Sequence, residues 1–459
     1  MNLTREIAHL CSELSYNELD ETVHDRVKYL LLDYLGVAIR GAKSESSLPL
    51  HRFLATRQVA TGGVPVTGTN LVVDTSYAAL ATGTAAHSLE LDDVVNAASL
   101  HPAVSVMSAT LAAGFSAGST GRDIIAAIVA GYELMVKLGI ALNPAAHYQR
   151  GFHPTGTCGT FGASVAAAKL FGLDPQQTLH TLGIAGSQAA GSMEFLSDGA
   201  YTKRFHGGWS AHSGVLAAQL AKEGFTGPAT ILEGSFGFLH GYSGSADQKK
   251  VLEDWGSPYE VLKTSIKPHA CCRYNQGSID CILRIFEEQQ LEIDEIEEIE
   301  ASILQAGTAL VAEPHEQKIN PRSVVDAQFS MPFGAAVAVV HKNAFLDQYS
   351  LENINDPRIK ALMKRVRCVA NEAIEKDFPQ KWRAAVTVRT KAGETFHKSL
   401  EYPRGDPENP LSWEEVIDKF INLAGTVFAQ QKCAEIVSTV RKLDQLEDIS
   451  TLCNLLKLG

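Results

Sequence analysis

The sequence predicts a mainly α-helical protein in which a smaller α/β lid domain is inserted into a large all-helical domain. Up to about residue 240, apolar residues recur at three- and four-residue spacing, which is typical of packed helices. Between about 241 and 265 the chain becomes turn-rich, and the next stretch mixes helical and alternating patterns. The C-terminal segment is helical again. We therefore expect a helical domain from residues 1–264 and 403–459, with the lid at 265–402.

The N-terminal region is expected to form closely packed helices. The segment 21–40 carries an apolar stripe that includes Val27, Leu30, Leu31 and Leu35. Later helices, rich in Ala and Gly, are predicted at 105–117, 122–142, 160–170 and 212–222. Small residues at this density let helix backbones approach one another, so we expect tight helix–helix contacts.

The lid and the C-terminal return have their own local signals. The patterns predict helices at 276–289 and 326–342, a strand at 296–304, and a hairpin of 384–390 with 394–401. Ser412 and Glu415 form a capping-box signature that opens a helix running toward Val427. The acidic segment 291–300 is expected to be a solvated face and not a metal site.

Composition limits the class of protein. The chain has 459 residues, 45% hydrophobic and 20% charged, as in ordinary soluble globular proteins of two domains. Its net charge of −12 argues against a nucleic-acid or membrane-surface binder, but a local cationic pocket could still hold a small anion. Eight cysteines without paired CxxC motifs, and a start without a signal-peptide pattern, predict free thiols and a cytoplasmic location.

Four short segments place His or Lys beside Gly, Pro or a turn. Loops often carry chemistry, so these segments suggest one site that holds a small anion and moves protons. Spacing alone would equally allow structural histidines and solvated cations. The segments are 87–93 with His101-Pro102, 151–156, 202–208 and 266–273.

These segments together resemble the MmgE/PrpD family over essentially the whole chain. Its members include 2-methylcitrate dehydratase, cis-aconitate decarboxylase and iminodisuccinate epimerase. The resemblance implies a homodimer with its active site between the two domains, and lyase or isomerase chemistry on a small polycarboxylate without a required metal or cofactor. It is carried by Glu90-Leu91-Asp92-Asp93 with His101, Gly151-Phe152-His153-Pro154, Lys203-Arg204, Lys267 through Arg273, and 326–333.

The resemblance also implies roles for individual residues. We expect Lys203 and Lys267 to hold substrate carboxylates, while His101 or His153, oriented by Asp93, moves a proton at carbon. Arg204, Arg273 and Thr155 are expected to bind substrate. Structural roles are expected for the remaining conspicuous groups, which are Glu90, Asp92, His212, His269, Cys271 and Cys272.

The reaction itself stays open at this level. A hydro-lyase is slightly favoured because dehydration needs only common acid–base groups, and a carboxy-lyase, an epimerase and a silent binding protein are the alternatives. The segment 90–101 and Ala270-Cys271-Cys272 look closer to fungal cis-aconitate decarboxylases than to the dehydratases. Several relatives have a His after the Cys pair where this chain has Gln276, and an amide cannot titrate. Dinucleotide, P-loop, zinc-protease and serine-hydrolase motifs are absent from the sequence.

Overall fold

The computed structural model describes residues 2–458 and divides the chain into two compact units. The larger unit combines the residues up to Thr264 with those from Ser412 onward, and the smaller unit is Ser265–Leu411. Residues 403–411 therefore group with the smaller unit, whereas the sequence pattern placed them in the C-terminal return. The reason is local pairing, because the backbone N–H of Ile266 donates to the carbonyl of Gly405 at 2.9 Å.

The first part of the larger unit is helical, as predicted, with one short antiparallel ribbon of β1 (Val64–Pro65) and β2 (Val72–Val73). Its helices are α1 (Leu3–Glu13), α2 (Glu21–Gly41), α3 (Ser47–Ala55), α4 (Thr75–Ala86), α5 (Pro102–Ala117), α6 (Gly121–Ala141), α7 (Pro144–Gln149), α8 (Pro154–Leu170), α9 (Pro175–Gly186), α10 (Thr202–Lys222) and α11 (Phe238–Tyr242).

Three helices begin earlier than the sequence pattern predicted. Helices α5 and α8 start at Pro102 and Pro154, where proline occupies the first helical position without losing a hydrogen bond. Helix α10 starts at Thr202, ten residues before the predicted boundary. The segments at 154–156 and 202–208 are therefore helical turns and not the exposed loops that the sequence suggested.

Glycines bring the central helices into backbone contact, as the density of small residues predicted. A Cβ atom on Gly162 of α8 would lie 2.7 Å from the carbonyl oxygen of Gly131 on α6. A Cβ on Gly131 would lie 2.5 Å from Val106 of α5. Only glycine fits at this junction of α5, α6 and α8.

Helix α6 is the central element of this packing. Among the described residues it is the one helix that is long and apolar enough to cross a membrane, judged by length and composition. However, 94% of its most apolar 18-residue segment is buried inside the protein. The core helix of a globular protein can have the same length and composition, and α6 packs against both α5 and α8 as a core helix does. Helix α5, predicted at 105–117, is likewise buried along most of its length.

The smaller unit is an α/β arrangement around one four-stranded sheet in the order β4-β3-β5-β6. β3 (Ile296–Ile303) pairs parallel with β4 (Val366–Ala370) and antiparallel with β5 (Ala384–Thr390), which forms the predicted hairpin with β6 (Thr395–Leu400). Its helices are α12 (Gln276–Gln289), α13 (Gln305–Val311), α14 (His315–Lys318), α15 (Val324–Gln328), α16 (Met331–His341), α17 (Leu351–Asn355), α18 (Pro357–Met363) and α19 (Glu372–Glu375).

The single helix predicted over residues 326–342 of the smaller unit is divided into two helices in the structure. The segment 326–342 breaks after α15, and Ser330 caps the N-terminus of α16 by accepting a hydrogen bond from the backbone N–H of Phe333 at 3.0 Å. A side chain that caps a helix leaves its own backbone outside the helix, which is why the run does not continue through this position.

The chain returns to the larger unit as α20 (Trp413–Ala424), α21 (Gln430–Arg441) and α22 (Ser450–Leu455). The predicted capping box is present, with Ser412 and Glu415 each accepting the other's backbone N–H. Helix α20 packs on α2, where Lys419 forms a buried ion pair with Asp33 at 2.6 Å. This charged contact ties the C-terminal segment to the helical core.

The glycine junction makes a testable prediction for stability. Gly162→Ala places a methyl group against the backbone of Gly131, which has no room to move, so we expect a loss of roughly 1–3 kcal/mol in the free energy of unfolding. Gly241→Ala is the matched control, because nothing lies within 4 Å of its added Cβ. Urea unfolding followed by circular dichroism measures both. Equal stabilities for the two variants would contradict the contact.

Candidate active site

Asp92 lies between two histidines in the larger unit. His87 directly follows α4, and its Nδ1 donates to Oδ2 of Asp92 at 2.7 Å. Nδ1 of His101, the N-cap residue of α5, lies 3.3 Å from the same oxygen. His87 and Asp92 are almost fully buried. The carboxylate of Asp92 is thus placed to orient both rings.

Asp93 faces the opposite direction. Its carboxylate accepts the backbone N–H of Ala103 at 3.1 Å and the hydroxyl of Tyr132 at 2.8 Å. Only its backbone carbonyl contacts His101, accepting from Nδ1 at 2.5 Å. The side chains of these two adjacent residues therefore contact different neighbours. The side chain expected to orient His101 was that of Asp93, but the structure gives this position to Asp92.

Burial dominates the electrostatics of Asp93. It raises the pKa of the carboxyl to about 8, although the hydrogen bond from Tyr132 acts in the opposite direction. The neighbouring charge of Asp92 acts in the same direction as burial on the pKa of Asp93. Asp93 is therefore largely protonated at neutral pH, in a position where its carboxyl ties α6 to the start of α5.

His153 and His206 form a pair. His153 precedes α8 as its N-cap residue, and its Nδ1 lies 3.1 Å from Nδ1 of His206 on α10. The ring of Phe195 meets both imidazoles edge-on, with centroids 6.0 and 5.9 Å away. Burial lowers the pKa of His206 to about 4 and that of His153 well below its usual range. Both rings are thus uncharged at neutral pH.

The four imidazoles form one continuous row, called here the histidine row, of His101, His87, His153 and His206. Neighbouring ring centroids are 5.3, 5.7 and 5.3 Å apart, and the rings of His87 and His153 stack within 13° of parallel. Buried Nε2 of His87 has no hydrogen-bond partner among residues 2–458, so it is an atom that a bound polar group would satisfy.

The row contains two residues to which the sequence analysis assigned no role. Both residues, His87 and His206, lie within the segments that the sequence analysis singled out. Their spacing, five residues before Asp92 and three residues after Lys203, is the sequence signal that could have identified them. Tyr132 was missed altogether, because an aromatic residue inside an apolar helix resembles any core side chain.

Lys203 and Glu90 form an ion pair at the side of the row. Lys203 lies in the first turn of α10, and its ammonium contacts Oε1 of Glu90. Glu90 adopts a φ of 55°, which is uncommon for a residue with a side chain and costs backbone energy. Lys203 is mostly buried, with 12% of its side chain exposed. A cation held this way is positioned rather than solvated.

Two predicted substrate-binding residues lie next to these groups. Thr155, in the first turn of α8, accepts the backbone N–H of His101 through Oγ1 at 3.2 Å, so it positions that histidine. Arg204 is half-buried, and its guanidinium lies over the ring of Tyr201 at 5.5 Å.

Lys267 and Arg273 belong to the smaller unit. Lys267 is almost fully buried, at 1% exposure. Arg273 pairs with Asp406 at 2.5 Å and lies over the ring of Trp382. Arg273 thus anchors the segment that follows β6, and its expected role in binding substrate stays a prediction.

Gln276 has a structural role in the smaller unit. Its amide nitrogen donates to the carbonyls of His269 and Cys271 at 2.9 and 3.1 Å, and its oxygen accepts the N–H of His269 at 3.2 Å. The ring of His269 is anchored by Asp280 at 2.9 Å. Burial raises the pKa of the Cys271 thiol to about 12, so this cysteine is not poised as a nucleophile.

The larger unit therefore separates its titratable groups by environment. The His153–His206 pair is uncharged at neutral pH, whereas His101 lies beside a carboxylate that favours its protonated form. Groups whose protonation states are pushed apart in this way can divide donor and acceptor roles in one reaction. Among residues 2–458, no group of three or more His, Cys, Asp or Glu side chains is arranged to hold a metal ion.

The buried Asp93 makes stability depend on pH. Its pKa is about 8 in the folded protein and about 4 in the unfolded chain, so only the unfolded chain loses this proton between those values. Stability should therefore fall as pH rises, by at most about 1.4 kcal/mol per pH unit from this group. Asp93→Asn cannot ionise and should flatten the profile.

Urea unfolding at pH 5 and pH 8 measures this difference. Asp418→Asn, an exposed position on α20, is the control and should keep the pH dependence of the wild type. An Asp93→Asn profile as steep as that of the wild type would show that Asp93 is ionised in the folded state.

Comparison with known proteins identifies the family. A model of the MmgE/PrpD N-terminal domain matches residues 5–250, and one of the MmgE/PrpD C-terminal domain matches residues 269–445. The chain is 28% identical to a cis-aconitate decarboxylase of Aspergillus terreus, with 99% of this chain and 96% of that protein aligned. A cis-aconitate decarboxylase-like protein of Aspergillus oryzae is 26% identical (99% and 97% aligned), and cis-aconitate decarboxylase of Homo sapiens is 25% identical (99% and 95%). The chain belongs to the MmgE/PrpD family and is a lyase of that type.

Proposed function

We propose that this protein is a carboxy-lyase that removes CO2 from an unsaturated tricarboxylate of the cis-aconitate kind. The observation that carries the proposal is the pairing of two uncharged imidazoles, His153 and His206, with a third, His101, that has a carboxylate beside it. The names of the relatives support the same reaction class.

The reaction needs one proton and no redox partner. In cis-aconitate, the carboxylate on the methylene carbon is β,γ to the double bond. The bond to this carboxylate breaks, and its electron pair forms a new methylene double bond. The electrons of the former double bond take a proton at the γ carbon, which gives itaconate and CO2.

His101 is the proposed proton donor. Its Nδ1 donates to the carbonyl of Asp93, so Nε2 is the nitrogen proposed to deliver the proton. Asp92 stabilises the imidazolium before transfer. With 13% of its side chain exposed, against none for His87, His101 can also regain its proton from solvent.

Uncharged donors suit the departure of CO2. A carboxylate that is strongly ion-paired is stabilised as an anion, which raises the barrier to losing it as neutral CO2. His153 can hydrogen-bond a carboxylate without adding charge. Lys203 is proposed to hold a carboxylate that is retained, in competition with Glu90. Lys267 is proposed to act in the same way.

The hydro-lyase favoured slightly from sequence would draw on the same groups. A hydroxyl group leaves readily only when a general acid protonates it. Burial lowers the pKa of His206 to about 4 and that of His153 well below its usual range, and the protonated carboxyl of Asp93 is committed to Tyr132 and α5. His101 would therefore have to serve as this acid too. The preference for decarboxylation rests on the uncharged donors for the departing carboxylate and on the names of the relatives.

His101→Gln tests the proton donor. The amide cannot deliver a proton, so we expect kcat for CO2 release to fall by roughly 100-fold or more. His240→Gln, at an exposed position on α11, is the matched control and should keep the wild-type rate. If His101→Gln retained more than about a tenth of the wild-type kcat, His101 would not be the donor.

Product analysis tests the reaction class. We expect purified protein incubated with cis-aconitate in D2O to give itaconate carrying one deuteron at the former γ carbon, observed by proton NMR, with one CO2 released per turnover. The same incubations with citrate, 2-methylcitrate and iminodisuccinate distinguish the alternatives. Olefinic products from the hydroxy acids without CO2 would establish a hydro-lyase and refute the proposal.

A further inference from the structure

We propose that His206 is a positioning residue that fixes the tautomer of His153, so that His153 presents Nε2–H toward bound substrate. The inference deepens the proposed function, because it names the group that would hydrogen-bond a substrate carboxylate without adding charge. It concerns a residue that acts through its neighbour and not at the reacting carbon.

The distance between the two rings sets the protonation pattern. Nδ1 of His153 lies 3.1 Å from Nδ1 of His206, which is a hydrogen bond only if one of the two nitrogens carries a hydrogen. Two bare nitrogens would repel through their lone pairs, and two N–H groups would clash. In an uncharged pair, one ring therefore carries its hydrogen on Nδ1 and the other on Nε2.

The surroundings of His153 select which ring does which. His153 is the N-cap residue of α8, and the positive end of a helix favours a lone pair over an N–H on the ring nitrogen nearest to it. Nδ1 is the nitrogen closest to the backbone of a histidine. His206 lies inside α10, one turn beyond its start, without such a field of its own. His206 thus donates and His153 accepts.

His206 is held where this bond requires it. The next residue, Gly207, packs so closely that an added Cβ would lie 2.8 Å from Val104 of α5. On the other side, a Cβ on Gly156 of α8 would lie 3.2 Å from that of His206. Phe195 covers both rings edge-on. These contacts fix the backbone that carries His206 and place the ring of Phe195 against both imidazoles.

His153 itself is fixed by its backbone and by stacking. Its backbone N–H donates to the carbonyl of Gly191 at 2.8 Å, and its imidazole ring stacks on that of His87. With Nδ1 used by His206, Nε2 is the nitrogen left to meet a ligand. An Nε2–H donates to a carboxylate, whereas a bare Nε2 would repel it. The tautomer therefore decides whether His153 can bind substrate.

Nitrogen-15 NMR of the resting, histidine-labelled protein at pH 7 tests the tautomer directly. We expect His153 to show a bare Nδ1 and a protonated Nε2, with signals assigned by comparison with His153→Asn. In His206→Leu the constraint is lost, and His153 should show averaged tautomers. In His206→Asn the amide N–H2 can replace the donor, so the wild-type pattern should persist. His9→Leu, an exposed site on α1, is the control.

Kinetics provide the second readout. We expect kcat/KM to fall about ten-fold in His206→Leu and to stay within about three-fold of wild type in His206→Asn, as for loss and retention of one hydrogen bond. A protonated Nδ1 on His153 in the wild type would overturn the inference. So would a His206→Leu variant with unchanged tautomer and rate, or a His206→Asn variant as impaired as His206→Leu.

The experiments can refute the proposed function and the tautomer proposal independently of each other. The NMR measurement on wild type needs no substrate, so a protein that releases no CO2 from cis-aconitate would refute the proposed function and leave the tautomer result standing. If His206→Leu does not fold, judged by its thermal unfolding, the wild-type spectrum and His206→Asn still decide the inference.

Discussion

Backbone contact between helices at glycines sets the distances within the site. A Cβ on Gly83 of α4 would lie 2.7 Å from the carbonyl of Val104 on α5 and 2.8 Å from the Cα of Gly208 on α10. His87 lies four residues after Gly83, and His206 lies two residues before Gly208. Because three helix backbones touch here, the polar groups at their ends meet within hydrogen-bond range. Larger residues at these contacts would separate the helices and the rings of the histidine row.

The C-terminal return also reaches this site. Lys419 of α20 pairs with Asp33 and donates to the carbonyl of Leu91 at 3.0 Å, next to Asp92. Burial raises the pKa of Asp33, while Lys419 acts to lower it. Removing either charge would leave the other buried and unpaired, which is strongly destabilising. The last fifty residues therefore hold in place the segment that carries the two aspartates.

Sequence alone predicted the helical fold, the inserted α/β segment and the three segments that meet in the histidine row, whereas the fourth segment, 266–273, lies in the smaller unit. Periodicity and capping signals are local, so they identified α2, α12 and the start of α20. The sequence could not show whether Asp92 or Asp93 lies beside His101, because adjacent carboxylates differ only in the side of the chain to which they point. Nor could it find Tyr132, whose hydroxyl becomes significant only once α6 lies against Asp93.

The same burial has opposite consequences for acids and bases in this site. It keeps the proton on Asp93 and keeps it off His153 and His206, so both kinds of group are uncharged near neutral pH. Charge is retained at the edge of the cluster, in Asp92 with His101 and in Lys203 with Glu90. Lys203 helps to lower the pKa of both His153 and His206, so this cation lies close to the neutral pair. In the proposed reaction, a carboxylate that meets only an uncharged imidazole is less stabilised as an anion than one that meets Lys203, and it is the carboxylate that leaves.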